Sequence, residues 1–175
     1  MTTPCANLTV LAGEQFACVK VAGRANFNAS VNFKTVVSEL LNQGYPYIVL
    51  ELSECALMDS TFLGVLAGFG LKANVTTDGC VTHAIELRNA NERVTELLEN
   101  LGVLHLFRTT PGVMPAGEAV PTSQSGYCAP SREQLTRASL EAHQTLMELN
   151  PENVARFKDV AKFLAEDLKK LRPPS

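Results

Sequence analysis

Excess positive charge is absent from this sequence: 15 Lys and Arg residues stand against 18 Asp and Glu residues, for a formal net charge of −3. The two signs are mixed along the chain, so no basic stripe is available to neutralise the phosphates of nucleic acid or anionic lipid. No apolar run approaches the roughly 20 residues that span a bilayer, and Met1-Thr2-Thr3-Pro4 lacks the features of a signal peptide. We therefore expect no nucleic-acid partner, no membrane insertion and a cytoplasmic location.

Paired cysteines and catalytic signatures are also missing. The five cysteines are odd in number, scattered and never in a C-x-x-C arrangement, which argues against a disulfide framework and a zinc site. His83, His105 and His143 are far apart in the sequence and do not indicate a metal site. No G-x-S-x-G elbow, phosphate-binding loop or dinucleotide fingerprint occurs. The sequence therefore predicts neither an enzyme nor a bound metal or other cofactor.

The composition is that of a packed protein. With 46% hydrophobic and 19% charged residues, the 175-residue chain fits one ordinary domain and an appendage. Short apolar or alternating runs predict strands at 8–12, 16–22, 47–52, 80–87 and 103–107, and apolar residues at helical spacing predict helices at 28–42, 61–73 and between Asn91 and Gly102. This alternation predicts an α/β fold in which helices cover a mixed sheet.

The composition changes after residue 108. Proline and glycine fall among serine and threonine at 109–131, which predicts a flexible linker between a domain at 1–108 and an extension at 132–172. Two apolar stripes separated by Asn150-Pro151 predict two helices in that extension. Isolated helices of this length are marginal in water, so the stripes must pack on the α/β domain, on each other, or on a second copy in a homodimer. The sequence leaves these options open.

One stretch of the sequence resembles a known family. Ile48-Val-Leu-Glu-Leu-Ser-Glu-Cys-Ala-Leu-Met-Asp-Ser-Thr-Phe-Leu-Gly-Val-Leu66 resembles the signature of STAS domains, the family of anti-anti-sigma factors and stressosome components. Its parts are an apolar strand, a short loop that ends in Met58-Asp59-Ser60-Thr61, and a helix that opens with Leu63-Gly64-Val65-Leu66. The resemblance covers roughly residues 8–108 and implies the STAS fold, a mixed sheet of four to five strands covered by helices. It does not reach the C-terminal helical extension.

The resemblance implies a regulatory protein, an anti-sigma factor antagonist that binds an anti-sigma factor serine kinase and thereby controls transcription. Ser60 aligns with the serine that the kinase phosphorylates, Thr61 is a second candidate acceptor, and Asp59 is the acidic residue beside it. With Phe62, these residues form the expected partner-binding segment. Unphosphorylated protein would hold the kinase, and phosphate on Ser60 would release it until a phosphatase acted.

Several alternatives remain open at this point. Phe62 stands where many family members have glycine, so it either anchors a partner or packs into the core, and Glu51 replaces the usual strand aspartate. Asp59-Ser60-Thr61 also suits a plain helix N-cap. STAS domains also occur as stressosome scaffolds and as accessory subunits of lipid or anion transporters, without phospho-switching. An enzyme in which Ser60 is a nucleophile with a histidine base is the alternative from another class.

Overall fold

The computed structural model of the chain describes residues 6–73, 76–77, 80–81, 84–112, 118–120 and 129–171. The described strands and helices follow one another as β1 Asn7–Ala12, β2 Ala17–Ala25, α1 Phe27–Asn42, β3 Tyr47–Glu51, β4 Cys55–Met58, α2 Ser60–Ala73, β5 Thr76–Thr77, β6 Cys80–Val81, β7 Ala84–Arg88, α3 Glu92–Asn100, β8 Arg108–Thr110, β9 Glu118–Val120, α4 Arg132–Leu149 and α5 Glu152–Leu171. One turn of 3-10 helix, Leu104–Leu106, precedes β8.

Seven of these strands form one mixed sheet, in the order β8-β7-β3-β2-β1-β9, with β4 also paired to β2. β1 is antiparallel to β2 and β9, whereas β2, β3, β7 and β8 run parallel to one another. β2 is shared, because its first half pairs with β3 and its last residues pair in parallel with β4. The predicted α/β fold with a mixed sheet is confirmed, and the sheet has more strands than the four to five expected.

Local sequence signals explain where two of the helices begin and end. α1 is capped by Asn26, whose side chain accepts a hydrogen bond from the Ala29 N–H. α3 is capped in the same way by Asn91, which accepts from the Val94 N–H at 2.8 Å. Each helix is followed by a glycine with positive φ, Gly44 at 91° and Gly102 at 72°, a conformation that strains other residues. The chain therefore turns back towards the sheet where the sequence predicts.

The core lies between the sheet and the helices that cover it. β3 contributes Ile48 and Leu50, and α1 and α2 contribute Phe33 and Phe62, all of them essentially inaccessible to solvent. The rings of Phe33 and Phe62 lie 4.5 Å apart between centroids, at a tilt of 34°. Burial of such side chains stabilises the fold by about 25 cal/mol per Å² of apolar surface. This packing fixes the direction of α2 and therefore the position of its first residues.

Two predicted strands were wrong in detail. The strand expected at 80–87 begins only at Ala84, because Cys80–Val81 pairs with Thr76–Thr77 in a separate two-stranded sheet, and residues 82–83 lie outside the described part. The strand expected at 103–107 is the 3-10 turn, followed by β8. Val103 and Phe107 are buried while His105 between them is exposed, which departs from the alternation of a strand, in which all three would lie on one face.

Two further strands occur where connections were expected. Residues 53–60 were predicted as a plain connection, but Cys55–Met58 forms β4 on the end of β2. Within the segment predicted as a linker, Glu118–Val120 forms β9 at the edge of the sheet, and residues 113–117 and 121–128 lie outside the described part. The division of the chain into 1–108, 109–131 and 132–172 stays a prediction.

The two C-terminal helices are present, as predicted, and they fold back on the rest of the chain. α4 packs against α1 and α2, and α5 packs against α4 as the second arm of a hairpin. Leu146 of α4 is completely buried in the main core, and Phe157 of α5 packs at its edge. The buried amide of Asn153 donates to the Leu101 and Leu146 carbonyls, both at 2.9 Å. Of the three arrangements that the sequence left open, the structure therefore shows the helical hairpin docked on the α/β part.

Candidate functional site

The candidate site is built around the turn from β4 into α2, at Asp59. The Asp59 N–H donates to the Ala25 carbonyl at 3.0 Å, which continues the pairing of β4 with β2. One carboxylate oxygen accepts from the Phe62 N–H at 2.9 Å, and the other accepts from the Phe27 N–H at 2.6 Å. Asp59 therefore satisfies backbone donors at the start of both α1 and α2, and it holds these two helix ends together.

The same environment affects the acidity of Asp59. Burial raises the pKa of its carboxyl above the ordinary value of 3.8, although hydrogen bonds from the Phe62 and Phe27 N–H groups act in the opposite direction. A negative charge close to a carboxyl raises its pKa further. A phosphate on the adjacent Ser60 would therefore raise the pKa of Asp59 still more.

Ser60 is the first residue of α2, and its side chain is half-buried. Its Oγ lies 2.9 Å from Nε2 of His143, a residue of α4 that is only 3% exposed. Nδ1 of the same ring lies 2.6 Å from the Ser139 carbonyl oxygen. Because a carbonyl can only accept, we assign the ring proton to Nδ1, so that Nε2 accepts the hydrogen bond from the Ser60 hydroxyl.

The other two predicted site residues point inward. Thr61 is 4% exposed, and its Oγ1 lies 2.9 Å from the Ser139 hydroxyl of α4. Phe62 has no exposed surface and packs on Phe33, so of the two positions left open for it the structure shows the core position. The structure therefore brings Asp59, Ser60 and Thr61 together at one helix end, and it gives Phe62 no surface for a partner in this conformation.

Two residues of this site, Ser139 and His143, were not predicted from the sequence, in which His143 was named only among the histidines that do not indicate a metal site. The signal that was available is their four-residue spacing alongside the Ala138 and Ala142 stripe, which puts a hydroxyl and an imidazole on the docking face of α4. That spacing predicts which face is buried, but it does not reveal that α2 is the neighbour.

Close approach of backbones brings α4 onto the site. A Cβ atom built on Gly64, one turn along α2 from Ser60, would lie 2.4 Å from the Ala142 carbonyl oxygen and 2.6 Å from the Ala142 Cβ. Only glycine fits this crossing. One turn further, a Cβ atom built on Gly68 would have no neighbour within 4 Å. Gly68 borders a cleft of about 180 Å³ between α1, α2 and α4. Lys34 and Glu141 form an exposed ion pair of 3.1 Å at that cleft.

Ser60 and His143 have the spacing of a nucleophile and its base, but the surroundings do not suit acyl transfer. The Phe62 N–H bonds to the Asp59 carboxylate and the Leu63 N–H to the Asp59 carbonyl, at 2.9 and 3.0 Å. These two donors, which could otherwise stabilise an oxyanion at this helix end, are thus already occupied. The arrangement is better described as a hydrogen-bonded contact between α2 and α4.

Two of the cysteines, Cys18 and Cys55, are buried. Burial raises the pKa of the Cys18 and Cys55 thiols to about 11 each, which makes them poor nucleophiles and poor metal ligands. Over the described ranges, no three His, Cys, Asp or Glu side chains gather into a group that could hold a metal ion. None of the helices in the described part combines the length and apolar character needed to cross a membrane.

The chain has a STAS fold, the fold of anti-sigma factor antagonists. Its features are the sheet order, the parallel β2-β3-β7-β8 unit and the helix that opens with Ser60 directly after Asp59. This chain is similar to the solved structure of a protein from Thermotoga maritima assigned as an anti-sigma factor antagonist, with 20% identity, a TM-score of 0.51, and coverage of 61% of this chain and 87% of that one.

Two more solved structures share this fold. The anti-sigma factor antagonist SpoIIAA in its unphosphorylated form matches with 17% identity and a TM-score of 0.50, over 62% of this chain and 89% of its own. An anti-sigma factor antagonist from Mycobacterium paratuberculosis matches with 15% identity and a TM-score of 0.54, over 65% of this chain and 92% of its own. No family model and no curated protein sequence matches this chain. More than a third of the chain has no counterpart in each of these three structures.

Proposed function

We propose that this protein is an anti-sigma factor antagonist that binds an anti-sigma factor serine kinase and is controlled by phosphorylation of Ser60. The unphosphorylated protein holds the kinase, and this frees the sigma factor that the kinase restrains. Phosphate on Ser60 breaks the complex, and a phosphatase resets the protein. In this scheme the protein acts in transcription by binding, and it catalyses no reaction itself.

The observation that carries this proposal is the position of Ser60 as the first residue of α2, directly after Asp59, in a STAS fold. The positive end of the helix dipole favours a negative charge at this residue, even though the Phe62 and Leu63 N–H groups already bond Asp59. The phosphate adds about 1.5 to 2 negative charges beside Asp59. A partner surface that accepts one half-buried carboxylate would be repelled by this added charge.

Affinity capture from the native cell tests the proposal. Wild type and Ser60→Asp serve as paired baits, and the retained proteins are identified by mass spectrometry. Ser131→Asp is the matched control, because Ser131 caps α4 and aspartate keeps that cap while adding the same charge at another helix start. We expect an ATP-binding anti-sigma kinase to be held by wild type and Ser131→Asp and lost by Ser60→Asp. Retention of that kinase by all three baits would contradict the proposal.

A STAS scaffold without phospho-switching, in a stressosome or beside a lipid or anion transporter, is the second candidate. The observation that favours it is that α4 already lies over the site, where His143 and Ser139 bond the Ser60 and Thr61 hydroxyls. In that case the baits would retain stressosome or transporter subunits equally, whatever the residue at position 60. The same capture experiment therefore separates the two candidates.

We further propose that the C-terminal helices form a homodimer through the outer face of α5. Phe163 is 68% exposed and Val160 is 42% exposed, one turn apart on that helix. Two large apolar side chains exposed so close together are costly to leave in water. A second copy of the same face would cover both.

A further inference from the structure

We propose that the α4–α5 hairpin is an internal cover of the Ser60 site, and that α4 must leave α2 before a kinase can bind or phosphorylate this residue. The part of this inference that concerns a kinase rests on the proposed function. The shielding of Ser60 by α4 does not rest on it. It assigns a regulatory role to the C-terminal hairpin, in a chain of which more than a third has no counterpart in the similar structures.

The contacts of α4 coincide with the candidate site. Nε2 of His143 bonds the Ser60 hydroxyl, and the Ser139 hydroxyl bonds that of Thr61, both at 2.9 Å. Both candidate phosphoacceptors are thus engaged by one face of one helix. A kinase that approached α2 along this face would collide with α4 itself.

Phosphorylation requires space that the closed form does not provide. In the transfer, a bond forms between Ser60 Oγ and the γ-phosphorus of the ATP held by the kinase. The bond from that phosphorus to the bridging oxygen breaks, ADP leaves, and the hydroxyl proton passes to a base of the kinase. The attacking oxygen must face the phosphorus in line at roughly 3 Å. In the closed form the buried His143 ring occupies a position 2.9 Å from this oxygen.

The contacts of α4 around Ser60 are polar, although the same helix is anchored in the main core at Leu146. Around Ser60 they are the two side-chain hydrogen bonds and the approach of Ala142 to Gly64. When α4 moves away from α2 there, these polar groups exchange their hydrogen bonds for bonds to water. The nearby ion pair of Lys34 with Glu141 is half-exposed on both sides and contributes little.

The two glycines of α2 give a matched pair of variants. In Gly64→Ala the new methyl group would lie 2.4 Å from a backbone oxygen of α4, so α4 must move away. In Gly68→Ala the methyl group enters open space one turn further along the same helix. Both changes raise the helix propensity of α2 by a similar amount. The pair therefore differs in the docking of α4 and not in the intrinsic stability of α2.

Accessibility of position 60 gives the first readout, in the full chain and without any partner. Ser60→Cys is combined with either glycine variant, and the rate of iodoacetamide labelling of the introduced thiol is measured by peptide mass spectrometry, which resolves it from the native cysteines. We expect labelling at least about tenfold faster with Gly64→Ala than with Gly68→Ala, in line with the usual effect of overpacking. Equal labelling rates in the two variants would show that α4 does not restrict access to position 60, and this would overturn the proposal.

Phosphate occupancy at Ser60 gives the second readout, from native cells that express Gly64→Ala or Gly68→Ala with Ser60 intact. We expect several-fold higher occupancy in Gly64→Ala. Equal, measurable occupancy in both variants overturns the regulatory role of the hairpin and leaves the proposed function standing. A third outcome is faster labelling of the introduced thiol with Gly64→Ala but no phosphate on Ser60 in any variant. It would contradict the proposed function and still support the shielding of Ser60 by α4.

Discussion

The Ser60 hydroxyl and Nε2 of His143 lie 2.9 Å apart, which joins the start of α2 to α4 across 83 positions of the chain. His143 is also held by its contact with Phe157 of α5, at 4.9 Å between ring centroids. One imidazole thus connects the candidate phosphoacceptor to both C-terminal helices. The state of Ser60 and the position of the hairpin are therefore linked through this residue.

Replacing His143 by alanine should loosen the hairpin. The change removes a buried ring and leaves the Ser60 hydroxyl and the Ser139 carbonyl without that partner, so we expect the free energy of unfolding to fall by about 2 to 4 kcal/mol. Urea unfolding measures this loss. His105→Ala is the control, since His105 is exposed in the 3-10 turn and its removal should change stability by less than about 0.5 kcal/mol. A similar effect of both changes would argue against the contact.

Truncation of Phe62 should affect the fold and not a binding surface. Because Phe62 has no exposed surface and packs on Phe33, we expect Phe62→Ala to destabilise the protein by about 3 to 5 kcal/mol. Val154→Ala, at a side chain that is 42% exposed, should cost less than about 0.5 kcal/mol. Thermal unfolding distinguishes them. If Phe62→Ala stayed as stable as wild type but lost its partner, Phe62 would be a partner anchor after all.

The raised pKa of Asp59 predicts a specific dependence on pH. A carboxyl that binds its proton more tightly in the folded state gives stability that is complete below its unfolded pKa and is lost as the pH rises through the folded value. The free energy of unfolding of wild type, relative to Asp59→Asn, should therefore fall as the pH rises above about 3.9, the pKa of an unfolded aspartate. Denaturant titrations across this range measure it. A difference that rises with pH would contradict the account.

Glu86 is the control of opposite sign. Burial acts to raise the pKa of its carboxyl, but hydrogen bonds from Tyr47, Thr110 and Arg88 outweigh this effect and leave the pKa below the ordinary 4.5. A lowered pKa gives stability that is present above the unfolded value and is lost as the pH falls. The free energy of unfolding of wild type, relative to Glu86→Gln, should therefore fall towards acid pH. Opposite slopes for the two carboxyls would exclude a general effect of pH on the fold.

The proposed dimer can be tested at its most exposed apolar residue. Phe163→Asp places a charge in the centre of the outer face of α5, so we expect it to convert a dimer to a monomer in sedimentation equilibrium. Lys162→Asp is the matched control, because it also adds negative charge at an exposed neighbouring position of the helix but removes no large apolar side chain. A wild-type protein that stays monomeric at high concentration would contradict the dimer.

Much of the fold could be predicted from the sequence because its signals are local. Asn91, Gly44 and Gly102 act on the helix ends beside them, and an apolar run such as 47–52 indicates a buried strand without knowledge of its neighbours. β4 was missed because four residues with mixed burial carry too little periodicity. The turn at 104–106 was read as a strand because a short apolar run does not reveal its own spacing.

The candidate site was predictable only in part. The motif led to Asp59, Ser60 and Thr61, and the structure puts all three at the start of α2. The residues that face them, Ser139 and His143, come from a helix about 80 positions away, and their role depends on how α4 docks. That docking depends on the absence of a side chain at Gly64, a feature that has meaning only once the two helices are known to cross.

The most direct test of the central claim is the phosphorylation state of Ser60 in two pools of the protein from its native cell, one bound to its partner and one unbound. Quantitative phosphopeptide mass spectrometry measures the occupancy in each pool, with Ser60→Ala cells as the reference for the unmodified peptide. The account predicts phosphate on Ser60 in the unbound pool and none in the bound pool. Equal occupancy in both pools, or no phosphate on Ser60 in either, would contradict it.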